Sequence, residues 1–270
     1  MVGCMYNFRQ AKRRASAGQT GRSVVFHHLD DPARNSGWRI GIVIPCKGDQ
    51  ALLPSCLQSL EPFRLAGDQI VLVDGDGIAD LAADMRLQGI HYLHAEDSRR
   101  GSVINRGIAW LLQNANVDVL MVCHADMRVA IDTRVAMVEG MTADARHLWG
   151  WMGHRIDDRR WRYRVVEWGN NWRGASLHLP YGDQLMFVGV DLLAQSGGWP
   201  GQPNMEDIEL SLRLRKITPP MRIKTPVLIS GRHWQRGIIK TTLRNWLTAT
   251  RYAAHRKPIQ DEGACLIPKS

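Results

Sequence analysis

The stretch Val117-Asp-Val-Leu-Met-Val-Cys-His-Ala-Asp126 decides the fold. Its apolar run is nearly continuous rather than alternating, the pattern of a strand covered on both faces within a parallel sheet. It ends in His124-Ala-Asp126. Read as extended chain, His124 and Asp126 stand at i and i+2 and point the same way. Ligands of open α/β sheets bind beyond the carboxyl ends of the strands, so the pair is expected at a binding edge. Carboxylate oxygen suits Mg²⁺ or Mn²⁺, and an imidazole shifts the preference towards Mn²⁺. A divalent cation held there would hold a diphosphate. The plain alternative is a strand end with a solvated Asp and a satisfied His, and the tripeptide alone does not choose between the two.

The neighbouring sequence repeats the pattern. Ile40-Gly-Ile-Val-Ile-Pro45 is a short β-rich run stopped by proline, followed by a helical pattern through Leu52, Leu53, Cys56, Leu57 and Leu60. Gln69-Ile-Val-Leu-Val-Asp74 is a second run, closed by a carboxylate and then by Gly75 and Gly77. Ile78 to Leu87 predicts a helix, Ile90 to His94 a third strand, and Ser102 to Gln113 a helix leading into the strand at 117–123. Strands alternating with helices mean βαβ units, hence an α/β fold of three layers, α/β/α, around a mainly parallel sheet. After residue 145 the alternation fades. Trp149, Trp151, Trp161, Trp168 and Trp172 are interleaved there with Arg155, Arg159, Arg160, Arg162, Arg164 and Arg173. Ordinary packing with snorkelling arginines accounts for most of them, while their density suggests a surface that stacks on a ring, a sugar or a partner.

Composition narrows the class. The chain has 270 residues, 44% of them hydrophobic, enough for one domain with a full core. No apolar stretch approaches the ~20 residues that span a bilayer. Arg9, Lys12, Arg13 and Arg14 are followed by no apolar segment, so a secretory signal is not expected. Residues 1–37 read as a mobile basic arm or partly as an over-long translated start, 38–256 as the domain and 257–270 as a tail. Cys4, Cys46, Cys56, Cys123 and Cys265 are odd in number and scattered, which suits reduced thiols in a cytoplasmic protein. The formal charge of +9 favours anionic partners: nucleotide diphosphates, or the anionic inner face of a membrane in peripheral contact. There is no nucleic-acid motif and no long basic block, so nucleic acid is not expected as a partner.

Candidate chemistry follows the apolar runs. Asp74 ends its strand before a Gly-containing turn, where it could accept hydrogen bonds from a base or ribose. Gly75-Asp-Gly77 lacks the third glycine of a dinucleotide fingerprint, which would fall at Asp80. Arg100-Gly-Ser-Val-Ile-Asn105 opens a helix whose first N–H groups, with Arg100, suit phosphate oxygens, although a plain helix start reads the same way. Gly182-Asp-Gln184 stands at the mouth of a buried segment. Glu206 and Asp207 open the helical Met205–Arg215 stretch, where acids complement the helix dipole. Either acid is also a candidate general base.

Taken in order, these pieces resemble the family 2 glycosyltransferases of GT-A fold, and within them the bacterial branch associated with arsenosugar biosynthesis. The residues that carry the resemblance are Ile44-Pro-Cys-Lys-Gly-Asp49, Val73-Asp-Gly-Asp-Gly-Ile-Ala-Asp80, Arg100-Gly-Ser-Val-Ile-Asn105, Cys123-His-Ala-Asp-Met127, Gly182-Asp-Gln184, Met205-Glu-Asp-Ile-Glu-Leu210 and Arg232-His-Trp-Gln-Arg-Gly237. The resemblance implies an inverting transfer of sugar from a nucleotide-diphosphate donor to a hydroxyl acceptor, assisted by Mn²⁺ or Mg²⁺. It implies that Pro45, Asp49, Asp74, Arg100 and Asn105 line the donor site, that Asp126 holds the metal with His124 and His233 beside it, and that Asp207 is the base with Glu206 next to it. Asp183, Gln184 and Trp234 would face sugar or acceptor, and the Arg232–Arg236 segment would close over the diphosphate. The chain departs from the family pattern at Gly48 for Asn, Asp49 for Glu, Asp76 and Gly77 after Asp74, Val103-Ile104 for Gln-Met and His233 for Arg. A catalytically inactive nucleotide- or sugar-binding module is the rival reading, ahead of a nucleotidyltransferase, whose Gly- and Arg-rich signature is missing after the first strand.

Overall fold

The computed structural model describes residues 37–77, 79–97, 99–143, 148–234 and 238–255. The expected arm before Trp38 and the tail after residue 256 lie outside the described residues, Gly37 apart. The strands are β1 (Ile40–Cys46), β2 (Gln69–Asp74), β3 (His91–His94), β4 (Val119–Val122), β5 (Met127–Arg128), β6 (Trp149–Ile156), β7 (Phe187–Gly189) and β8 (Met221–Ile229). The α-helices are α1 (Leu53–Ser59), α2 (Glu61–Leu65), α3 (Ala79–Leu87), α4 (Arg100–Asn114), α5 (Thr133–Ala143), α6 (Trp161–Leu177), α7 (Val190–Gln195), α8 (Glu206–Leu214) and α9 (Ile238–His255). All the described strands join one sheet in the order β3-β2-β1-β4-β7-β6-β8-β5. β3, β2, β1 and β4 run parallel, as do β6 and β8, while β7 and β5 are reversed.

The first strands are apolar throughout because both of their faces are covered. Ile40, Ile42, Ile44 and Cys46 join one buried cluster with Leu53, Cys56, Leu57, Leu60 and Phe63 from α1, α2 and the turn between them. The alternate residues Gly41 and Val43 turn to the other face, against α4. A Cβ at Gly41 would stand 3.0 Å from Leu111 Cδ1, and one at Gly107 2.6 Å from Val43 Cγ1 and 3.0 Å from Val73 Cγ2. Period-2 alternation thus feeds two helical layers. Cys46, Cys56 and Cys123 are buried and free, as expected of core thiols.

Register sets the site. Cys46 pairs with Asp74 and Asp74 with His94, so β1, β2 and β3 end level, while β4 stops at Val122 opposite Val43, three residues short of the end of β1. One expectation is corrected here. β4 stops at Val122, not at residue 123, and His124 and Asp126 are not alternate strand residues. The Met127 N–H donates to the His124 carbonyl at 3.0 Å, closing a tight turn with Ala125 and Asp126 at its centre, after which β5 pairs antiparallel with β8. The chain reverses because Ala125 and Met127 are themselves buried, at 1% and 0% exposure, which an uninterrupted strand running out of the sheet would not allow.

Gly107→Ala should destabilise the protein by about 1–3 kcal/mol, because its methyl group has no room between Val43 and Val73. Urea unfolding of the variant beside the parent measures this; an unchanged midpoint would mean that α4 does not sit on the sheet at this distance.

Candidate functional site

The carboxyl edge of β1 and β2 is built on two acids. Asp74 is fully buried, its Oδ1 accepting the Asp76 N–H at 2.9 Å and its Oδ2 the Tyr92 hydroxyl at 3.0 Å. Burial, with this hydrogen bond, pushes the Tyr92 phenol up to about 12. Asp74 therefore braces the turn from inside, and the carboxylate that reaches solvent is Asp76, two residues on. Asp76 Oδ2 accepts the Gly48 N–H at 2.6 Å and Gln50 Nε2 at 2.7 Å, and these bonds hold its acid below the usual carboxylate range. Gly48 has φ +69, a left-handed backbone that glycine takes without strain. The next residue, Asp49, is ion-paired with Arg232. That pair joins the loop after β1 to the turn Gly231–Trp234, the region expected to close over a diphosphate. Pro45 lies within β1, and Asn105 is buried, its Nδ2 donating to the Trp199 carbonyl at 2.9 Å. Asn105 thus ties α4 to the loop before α8.

Asp126 lies half-buried on the wall of a pocket of about 210 Å³ lined also by Leu52, Ser55, Asp157 and Ser230. The Ser230 N–H donates to the Asp126 carbonyl at 3.3 Å, so the end of β8 is anchored to this turn. Among the described residues no three His, Cys, Asp or Glu side chains converge as a metal cage. A Mg²⁺ or Mn²⁺ completed by substrate phosphates and water needs only one or two protein carboxylates, and Asp126 on an open wall fits that demand. The side chains of His233 and Trp234 lie outside the described residues.

The third part lies at the start of α8. Asp207 Oδ2 accepts the Gly182 N–H at 2.6 Å, and its Oδ1 the Ile208 N–H at 2.7 Å. A Cβ at Gly182 would stand 3.0 Å from His124 Nε2 and 3.4 Å from Asp207 Oδ2. The turn after β4 and the first turn of α8 therefore meet across one glycine. Glu206 is 1% exposed, with Oε1 3.6 Å from Arg100 at the opening of α4 and Oε2 buried without a hydrogen-bond partner. His124, Asp183, Arg100, Glu206 and Asp207 are thus brought together in one corner.

Behind them stands a network that sequence reasoning missed. His154 of β6, fully buried, places Nδ1 3.3 Å from Asp183 Oδ1 and Nε2 3.3 Å from Asn170 Nδ2. Gln184 is fully buried: its Oε1 accepts the Tyr181 N–H at 3.0 Å and Arg173 Nη2 at 3.3 Å, and its Nε2 donates to Asn171 Oδ1 at 3.1 Å. Gln184 shapes the 181–184 turn from within and offers no open edge to a sugar. Arg173 is no snorkelling arginine either; it is buried, 3.2 Å above the Tyr181 ring, and donates to the Leu179 carbonyl at 2.9 Å. The signal was available in the sequence: Glu167, Asn170 and Arg173 recur at helical spacing between apolar residues, a polar stripe on an inward face.

Charge in this corner is uneven. Burial and the neighbouring Asp207 charge push Glu206 up to about 8, against the pull of Arg100. Burial also raises Asp207, but two backbone N–H groups favour its anion. Both acids of the pair are therefore weaker than usual. Burial raises Asp183 too, yet His154, Arg173 and His124 outweigh it and its acid is stronger than usual.

No family profile matches the chain, and no curated relative does. Solved structures do. Glucosyl-3-phosphoglycerate synthase of Mycobacterium tuberculosis, with Mn²⁺, UDP and glucosyl-3-phosphoglycerate, superposes with a TM-score of 0.57 at 13% identity, covering 81% of this chain and 81% of that one. A mannosyltransferase of Pyrobaculum calidifontis, with GDP-Man and Mn²⁺, gives 0.55 at 19% identity over 82% of this chain and 65% of that one. A TarS fragment from S. aureus gives 0.54 at 11% identity over 83% and 67%. The chain has the GT-A fold of these glycosyltransferases.

The Glu206 shift has a consequence for stability. From the ordinary value near 4.5 up to about 8 the folded protein keeps a proton that the unfolded chain has lost. Stability therefore falls as pH rises through that window. Glu206→Gln, which cannot ionise, should gain stability relative to the parent between pH 5 and pH 8. Urea midpoints at both pH values test it; a difference that does not change with pH would show Glu206 to be ionised throughout.

Proposed function

We propose that the protein is an inverting glycosyltransferase, moving a sugar from a nucleotide-diphosphate donor to a hydroxyl acceptor with Asp207 as general base. The observation that carries this reading is the placement of Asp207: a carboxylate held by the Gly182 and Ile208 N–H groups beside His124, on the carboxyl edge that also bears Asp126. The acceptor oxygen forms a bond to the anomeric carbon as the bond from that carbon to the diphosphate breaks, and the hydroxyl proton passes to Asp207. A base is most effective when its pKa is raised towards neutral but still below the working pH, and burial drives Asp207 in that direction. Glu206 beside it is weakened as an acid by burial and by the Asp207 charge.

Asp126 is the proposed cation ligand, with His124 and His233 as candidates for a further one. A bound Mn²⁺ or Mg²⁺ would neutralise the departing diphosphate. Arg100 would meet phosphate oxygens, and Asp49 with Arg232 would border the nucleotide. The neighbours of known structure hold UDP or GDP-Man with Mn²⁺, which supports this donor class. The motif order further supports the arsenosugar-associated branch of family 2.

Thermal-shift measurements with UDP- and GDP-sugars, with and without Mn²⁺, test the donor class, since a ligand that binds only the folded state raises its stability. Stabilisation by at least one such sugar should require the cation, and Asp126→Ala should lose it while keeping the parent's own melting temperature. With the donor found, Asp207→Asn should lower turnover by roughly 10²–10⁴-fold with donor binding nearly unchanged. Donor binding without turnover in the parent would instead favour the inactive binding module.

A further inference from the structure

α6 carries two opposed faces. Tyr163, Val166, Glu167, Asn170, Arg173 and Gly174 are buried against the domain. On the opposite side Trp161 is 72% exposed, Val165 57%, Trp168 69% and Trp172 46%. Positions 161, 165, 168 and 172 follow the helical period, so these side chains form one stripe about 17 Å long. Large aromatics are seldom left open in a row on a soluble surface, and a contiguous apolar patch of this kind marks a contact.

The charge beside the stripe identifies the partner. Arg159, just before α6, and Arg162, in its first turn, are exposed and, among the described residues, take part in no ion pair, while the only acid of α6, Glu167, is buried and bound to Arg164 and the Ile156 N–H. The exposed arc of the helix thus presents tryptophan and arginine with no carboxylate. A second copy of this chain would bring the same arginines and a formal charge of +9 against this surface, which opposes self-association. A glycan platform needs polar groups beside its rings to bind hydroxyls, and the one amide near the stripe, Asn171, is engaged with His154 and Gln184. Tryptophan at headgroup level, flanked by arginine, is the pattern of a helix lying in the surface of an anionic membrane.

We propose that the outer face of α6 docks on an anionic lipid bilayer, with Trp161, Trp168 and Trp172 in the headgroup region and Arg159 and Arg162 on the phosphates. The proposal stands independently of the glycosyl-transfer reading. It adds to that reading a geometry: the helix that braces Asp183 and Gln184 from within is the one that rests on the membrane.

The test is co-sedimentation of the full chain with vesicles of phosphatidylcholine alone, or of equal parts phosphatidylcholine and phosphatidylglycerol. The parent should partition onto the anionic vesicles only, less so as salt is added. The combined change Trp161→Ser, Trp168→Ser and Trp172→Ser should lower that partition by about tenfold or more at an unchanged melting temperature, and Arg159→Gln with Arg162→Gln should lower it too. Should the triple tryptophan variant melt early, the single variants Trp161→Ser and Trp168→Ser serve in its place. Equal partition of parent and tryptophan variants overturns the proposal, as does a parent that ignores phosphatidylglycerol. A dimer in sedimentation equilibrium that the tryptophan variants abolish, without vesicle binding, would assign the face to a second copy. Tryptophan-dependent retention on immobilised polysaccharide, again without vesicle binding, would assign it to a glycan.

Discussion

β1, β2 and β4 are covered on both faces, and the rest of the molecule follows from that. A strand in this position can carry no charged side chain along its length without leaving it unsolvated, so polar groups collect where the strand ends. Because β2, β1 and β4 pair in parallel and so run out towards the same side, those groups collect on one edge. Asp74, Asp76, Asp49, His124 and Asp126 all stand beyond that edge or at its last residue. α4 begins at the same end, which brings Arg100 to Glu206. The opening of α8 is drawn in by the bond from Gly182 to Asp207 and by the Gly101 N–H on the Gln202 carbonyl, 3.1 Å.

A buried acid backs an outer one twice over. Asp74 holds the Asp76 N–H, and Asp76 then organises the loop at Gly48. Glu206, a weakened acid, stands next to Asp207, whose anion two N–H groups favour.

The strands and helices up to Val122 were legible in the sequence, since continuous apolar runs and helical spacing there reflect a structure buried on every side. β2 ends at Asp74 as expected, and α4 differs only in beginning earlier and ending later than Ser102–Gln113. The reversal at Ala125 was not legible, because it depends on β5 pairing with β8, a strand a hundred residues away in the chain. The inner network was hidden for a related reason. His154, Arg173 and Gln184 look like surface residues one at a time, and only the fold shows that they satisfy one another. The tryptophans divided along the same line: Trp149 and Trp151 fill the core of β6, whereas Trp161, Trp168 and Trp172 face outward. Crowding in sequence therefore reported two different environments.

Gly48 shows how a substitution can keep a backbone while discarding a side chain. Its φ of +69 is one that Asn also adopts more readily than other residues with a side chain, and Asn is the residue the resembling family carries at this place. A Cβ added at Gly48 would meet no atom within 4 Å. The bend therefore asks its neighbours for no room, and the space beside it is open. An Asn placed at Gly48 would keep this backbone and set an amide next to Asp49 and Asp76 without rebuilding the loop.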